Sequence, residues 1–193
     1  MKETKIDYKS IYYPPGGILM WILITLELIT FGIALIALVA YSKEDPELYH
    51  RSRLMLNTTF GAINTVFLLV SGFFMATTVH LFKQQKFDKS LFYLKLTMLG
   101  GFLFLGLKSI EYYEKLNMGF ILDYNTFFSF YWLLTGFHVI HVLVGLVILF
   151  FFYFSLRKKN TKPKLEDVEA SAAFWHMCDL IWLLLFPVIY LIL

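Results

Sequence analysis

The stretch FYWLLTGFHVIHVLVGLVILFFFYF, residues 130–154, decides how this chain is read. It is long enough and apolar enough to cross a bilayer as one helix, which takes about 20 residues. Yet two histidines, His138 and His141, stand near its middle. A polar residue at that depth faces protein or a cavity, because hydrocarbon offers it no partner. Three roles suit such a pair: ligation of a metal or haem, a satisfied buried network, and proton transfer.

Four further runs have the same character. The five spans are expected near 17–41, 58–82, 91–110, 127–154 and 173–193. Composition agrees: 59% of the 193 residues are hydrophobic and 16% are charged, against about a quarter charged in soluble domains. Mean hydropathy is +0.66. The expectation is an all-α membrane protein, a five-transmembrane-helix bundle. A polar N-terminal tail of residues 1–16 precedes a transmembrane domain of residues 17–193. The tail is too polar, and the apolar run after it too long, for a secretory signal. The lone cysteine, Cys178, excludes a disulfide framework and a cysteine metal site. A net charge of +3 gives no reason to expect nucleic acid as a partner.

The positive residues predict orientation. Lys2, Lys5, Lys9, Lys83, Lys86, Lys89, Lys95, Arg157, Lys158, Lys159, Lys162 and Lys164 fall on the side of the N-terminus. Lys43, Arg51, Arg53, Lys108 and Lys115 fall on the other. That asymmetry puts the N-terminus in the cytoplasm and the C-terminus outside. Tyr8, Tyr12, Tyr13 and Trp21 bracket the first span as an interfacial belt would. Gly72 with Ala76, and Gly100, Gly101 and Gly106, offer points of close helix approach.

Glu27 lies mid-span in WILITLELITFG, and Asp179 follows His176 by three residues in FWHMCDLIWLLLFP. Residues three apart share a helix face, so His138/His141 and His176/Asp179 are each expected to point one way. At 1.5 Å per residue from the cytoplasmic boundary, Glu27 lies at roughly 15 Å, His141 at roughly 20 Å and His138 at roughly 24 Å. Asp179 and His176 fall at roughly 9 and 5 Å on the same ruler, forming a second site nearer the cytoplasm. Glu27 and His141 can meet if their helices are neighbours. Two histidines on one helix cannot clamp a haem from both faces, so His176 or His80 would have to complete a haem site. No catalytic constellation of side chains is visible.

Several stretches together resemble subunit III of the haem-copper oxidases. FYWLLTGFHVIHVLVGLVIL looks like that family's TGFHxxHVxxG signature, and FWHMCDLIWLLLFPVIYL looks like its closing WHxxDxxWLxxF helix. GGILMWILITLELITFG resembles its first common span, with the glutamate in place. LNTTFGAINTVFLLVSGFFMA and FLFLGLKSIEYYEKL are supporting matches. The resemblance implies a non-catalytic subunit that binds beside a catalytic subunit I, which carries the haems and copper. This chain would hold no redox cofactor of its own; bound phospholipid is a further expectation. It implies that Glu27, His138, His141, Glu111, His176 and Asp179 are the family's buried polar positions. It places the chain in a bacterial inner membrane, in an aerobic respiratory chain, supporting the catalytic subunit and its proton uptake. Longer members have two more N-terminal helices that open a lipid-holding cleft; the resemblance here covers only the five later spans, so the full cleft is not expected. YYPPGG, EDPELY and the WHMCDLIWLLLFP ending also resemble a branch that accompanies nitric oxide reductase. An independent b-type haem protein or a small transporter is the alternative of another class.

Overall fold

The structure is a computed structural model that describes residues 14–158 and 163–192. Lys2, Lys5, Lys9, Tyr8, Tyr12, Tyr13, Lys159 and Lys162 lie outside the described residues, as does most of the 1–16 tail. The regular elements among the described residues are all helices, without a strand. Helix α1 is Ile18–Ser42, α2 Pro46–Leu54, α3 Thr58–Lys83, α4 Phe87–Asn117, α5 Thr126–Arg157 and α6 Leu165–Pro187, continued by a π-helical turn, Val188–Ile192. All but the short α2 are long and apolar enough to cross a membrane.

Local chemistry sets the boundaries. Asp45 caps α2 by accepting from Leu48 N at 3.1 Å, with Pro46 at the first helical position. Asn57 and Asn125 cap α3 and α5 in the same way. The tight turn from α3 to α4 closes with Lys86 N donating to Leu81 O at 3.0 Å, and Gln85 takes a left-handed φ of 60°. At the end of α4 the same closure runs from Phe120 N to Lys115 O, and there Gly119 takes the left-handed position.

Four expectations shift. The connector SKEDPELYHRSRLMLN holds the helix α2, built on a cap and proline that a loop reading passes over. The third span, expected at 91–110, runs to Asn117, so Glu111 and Lys115 stand on a helix rather than in a polar connector. The last span, expected from 173, begins at Leu165. Lys108 and Lys115, taken as charges flanking the membrane, are buried. Lys115 Nζ donates to Met55 O at 2.6 Å, where a cation meets the carbonyl end of α2.

Helix α6 is the hub. It packs on α1, α3 and α5, while α4 closes the bundle against α3 and α5. Trp175 shows why the packing is tight. A Cβ at Gly101 of α4 would sit 2.6 Å from Trp175 Cη2, and one at Gly145 of α5 would sit 3.0 Å from its Cε3. The indole therefore occupies a slot between two glycines. Trp175 Nε1 donates to Ser71 Oγ at 3.0 Å, and that hydroxyl donates to Thr97 O at 2.7 Å. Gly106 has nothing near it and makes no close contact. The outer faces are apolar, with Leu19 81% and Phe151 73% exposed, as lipid contact requires.

Candidate functional site

Three polar centres lie inside the bundle. In the first, Glu27 of α1 meets His141 of α5, Oε2 to Nε2, at 3.2 Å. His141 Nδ1 lies 2.8 Å from Phe137 O. A carbonyl only accepts, so Nδ1 carries a proton and donates. Nε2 faces the Glu27 carboxyl at ion-pair distance, without the geometry of a hydrogen bond to Oε2. Phe31 and Phe137 cover the imidazole at centroid distances of 5.6 and 4.5 Å.

His138 does not join this pair. It is 0% exposed, stacked on Trp182 at 5.4 Å and edge-on to Phe104 at 5.5 Å. Neither ring nitrogen has a hydrogen-bond partner among the described residues. The expectation that His138 and His141 point one way fails for a geometric reason. Three residues rotate a helix to about 60° short of a full turn. α5 stands at the junction of α1 with α4 and α6, and that angle divides the two neighbours. No two imidazoles converge on a haem: His138 is enclosed by protein, and His141 is engaged at both nitrogens. Among the described residues no three His, Cys, Asp or Glu side chains group as metal ligands.

The second centre is His176 with Asp179 on α6, Nδ1 to Oδ2 at 3.4 Å. These two do share a face. Gly72 of α3 lies directly against the Asp179 carboxylate, so close that any side chain there would collide with Oδ2. Because α6 starts at Leu165, Asp179 is about 21 Å along the helix. The pair is thus near mid-span, level with Gly72, and not near the helix entry as expected. Asp179 Oδ1 is buried without a partner among the described residues.

Of the third centre the sequence names Glu111, but its partner Lys108 reads there as a flanking charge. Lys108 and Glu111 of α4 form a buried ion pair, Nζ to Oε2 at 3.0 Å. Lys108 Nζ also donates to Tyr190 OH at 2.7 Å and to Tyr131 OH at 3.3 Å. Both phenols donate in turn to Glu111 Oε1, at 2.7 and 3.0 Å. All three ammonium protons and both carboxylate oxygens are used. Tyr112, Tyr131, Trp182 and Tyr190 ring the ammonium at 4.8–5.3 Å from their centroids, within cation–π range. Spacing held the signal: Lys108 and Glu111 stand three apart in an otherwise apolar run, as His176 and Asp179 do.

The arrangement encloses polar groups, fully paired at Lys108 and Glu111 but not at His138 or Asp179 Oδ1 among the described residues. A sequence profile for cytochrome c oxidase subunit III matches residues 54–192, covering α3 to α6. The chain belongs to the cytochrome c oxidase subunit III family. It is 25% identical over 173 residues to cytochrome bo(3) ubiquinol oxidase subunit 3 of Buchnera aphidicola, covering 89% of this chain and 84% of that protein. It is 34% identical over 128 residues to cytochrome c oxidase subunit 3 of Artemia franciscana, covering 66% of this chain and 49% of that protein. A heme-copper oxidase subunit I+III of Aeropyrum pernix is 28% identical over 182 residues, which are 90% of this chain and 22% of that one. The chain thus spans about half the length of the Artemia relative. Subunit III is an accessory, non-catalytic part of haem-copper oxidases. His138, His141, Glu111, His176 and Asp179 fall within the matched residues; Glu27 lies before them. The family and the five apolar helices make this a multi-pass membrane protein.

Proposed function

We propose that this chain is the accessory subunit III of a bacterial haem-copper terminal oxidase in an inner membrane, bound beside the catalytic subunit I. The profile match over α3–α6 carries the reading. Haem and copper belong to the partner, since the imidazoles here do not fit a haem. The chain's own residues act as a rigid polar scaffold. Lys108 and Glu111 tie α4 to α5 and α6 through Tyr131 and Tyr190. Glu27 and His141 bring a carboxyl and an imidazole together between α1 and α5 at mid-membrane, an arrangement that suits support of proton uptake. The six predicted positions Glu27, His138, His141, Glu111, His176 and Asp179 are structural or proton-holding rather than catalytic. The cationic ends Lys83, Lys86, Lys89, Arg157, Lys158 and Lys164 argue for a cytoplasmic N-terminus and an external C-terminus. The names of the relatives favour the oxidase and lend nothing to the nitric oxide reductase alternative.

The test is a mild detergent purification through a tag on this chain, with a visible spectrum of what accompanies it. A large haem-bearing subunit should co-purify, with all haem in that partner. A Soret band that stays with this chain after the partner is stripped overturns the reading.

A further inference from the structure

The surface of α6 is not covered all round. Trp175, Asp179, Trp182 and Phe186 face α3, where they meet Ser71, Gly72, Thr65 and Gly61. Phe174 faces α5 at Gly145, and Ala170 lies against Gly16 just before α1. At 100° per residue, these contacts occupy the whole circumference except one arc. His176, Leu180, Leu183 and Leu184 fill that arc, and all four are exposed. α1 and α3 both pack on α6 from either side of it. The result is an open groove between α1 and α3, floored by α6.

The floor of this groove is not purely apolar. The His176 side chain is 44% exposed, about 17 Å along α6. Its Nδ1 is turned to Asp179, and its Nε2 has no hydrogen-bond partner among the described residues. Next to it, Asp179 Oδ1 is buried and unpartnered among the described residues. Acyl chains offer such an imidazole nothing, and an intramembrane ionisable group facing hydrocarbon is costly. The other outward faces, around Leu19, Ile36 and Phe151, carry apolar side chains that lipid solvates well. A transmembrane protein helix supplies what lipid lacks, a hydrogen-bonding side chain at mid-depth. The relative in which subunit I and subunit III share one chain makes a membrane-embedded neighbour the natural source.

We infer that the α1–α3 groove is the docking face for a transmembrane helix of the catalytic subunit, which places a hydrogen-bonding side chain against His176 Nε2. The inference rests on the accessory-subunit reading and deepens it. The helix lies along Leu180, Leu183 and Leu184, and His176 fixes its register as a polar contact at mid-depth among these leucines.

The experiment uses the whole complex, purified through a tag on the catalytic subunit. The photo-crosslinking residue p-benzoylphenylalanine is placed singly at Leu180, Leu183 and, on the far side of the bundle, Phe151. Capture of the catalytic subunit from Leu180 and Leu183 but not from Phe151 is expected. In parallel, His176→Leu should lower recovery of this chain with the complex about tenfold, the worth of one strong hydrogen bond. His176→Gln should restore it. Because His176→Leu also removes the Asp179 contact, Leu180→Ala, which leaves that contact intact, should lower recovery as well. Full recovery of Leu180→Ala together with a His176→Gln variant no better than His176→Leu counts against the docking face. Capture of lipid alone from Leu180 and Leu183, or of the catalytic subunit from Phe151 instead, overturns the groove assignment while the accessory role stands. A tag on the catalytic subunit that never retains this chain sinks both.

Discussion

Lys108 Nζ stands 3.0 Å from Glu111 Oε2 on one face of α4, and neither side chain is more than 1% exposed. Taking two charges out of water costs more than their attraction returns unless every remaining proton and lone pair is satisfied. Tyr131 and Tyr190 meet that condition. The pair is therefore sensitive to the loss of either partner and tolerant of losing both. Lys108→Met or Glu111→Leu alone should destabilise the bundle by about 3–5 kcal/mol. The double variant should regain most of that loss. Detergent-denaturation curves of the three variants measure it, and a double variant as unstable as the sum of the singles contradicts the account.

Glu27 Oε2 stands 3.2 Å from His141 Nε2, so a change of charge on the carboxyl is felt at the imidazole. Glu27→Gln should change the ring-nitrogen resonances of His141 across a pH series. Asp179→Asn, on another face of the hub, should leave them as in wild type. Nitrogen NMR with labelled histidine gives the comparison; an unaltered His141 in Glu27→Gln would refute the pairing.

The glycines of α4 divide into two kinds. Gly101→Ala drives a methyl into Trp175 and should destabilise by about 1–3 kcal/mol. Gly106→Ala meets open space and should stabilise by up to about 1 kcal/mol through helix propensity. Thermal unfolding followed by circular dichroism should shift in opposite directions for the two.

Tyr49 lies on α2, between membrane spans, with its ring edge-on to Phe127 at 5.7 Å. Burial first, then the charge of Glu44, pushes its phenol up to about 12. The folded pKa exceeds the unfolded one, so the neutral phenol contributes stability below about pH 10, and that contribution fades as pH rises toward 12. Comparing folded wild type with folded Tyr49→Phe, the phenolate absorbance lost in the variant should be a step toward pH 12 and not one near pH 10. Its hydroxyl has no partner among the described residues. Tyr49→Phe should therefore be neutral or stabilising by about 1 kcal/mol.

Hydropathy alone located the five spans because lipid-facing helices are apolar all round, a signal that needs no partner. Depth along the helix was enough to bring Glu27 and His141 to one level. What escaped was angular. Which neighbour His138 or His141 faces depends on where α1, α4 and α6 stand around α5, and a single helix carries no record of that. Lys108 escaped for a different reason. A lysine near a span end reads as a flanking charge, and only the phenols of Tyr131 and Tyr190, 23 and 82 residues away, make burial tolerable. The helix α2 was legible in Asp45 and Pro46, but a nine-residue helix between two spans is easily read as connector.

The hub position of α6 has a consequence for biogenesis. α6 follows α1, α3 and α5 in the chain, and each of them leans on it. During translation the earlier spans enter the membrane with Thr65, Ser71 and Gly72 still lacking the indoles and carboxylate they will meet, and Lys108 waits for Tyr190. The α3–α4 and α4–α5 contacts can form earlier, but completion of the bundle waits for α6. A nascent chain halted before residue 165 should stay loosely held and open to membrane proteases, so cells can distinguish a finished subunit from an interrupted one before any partner arrives.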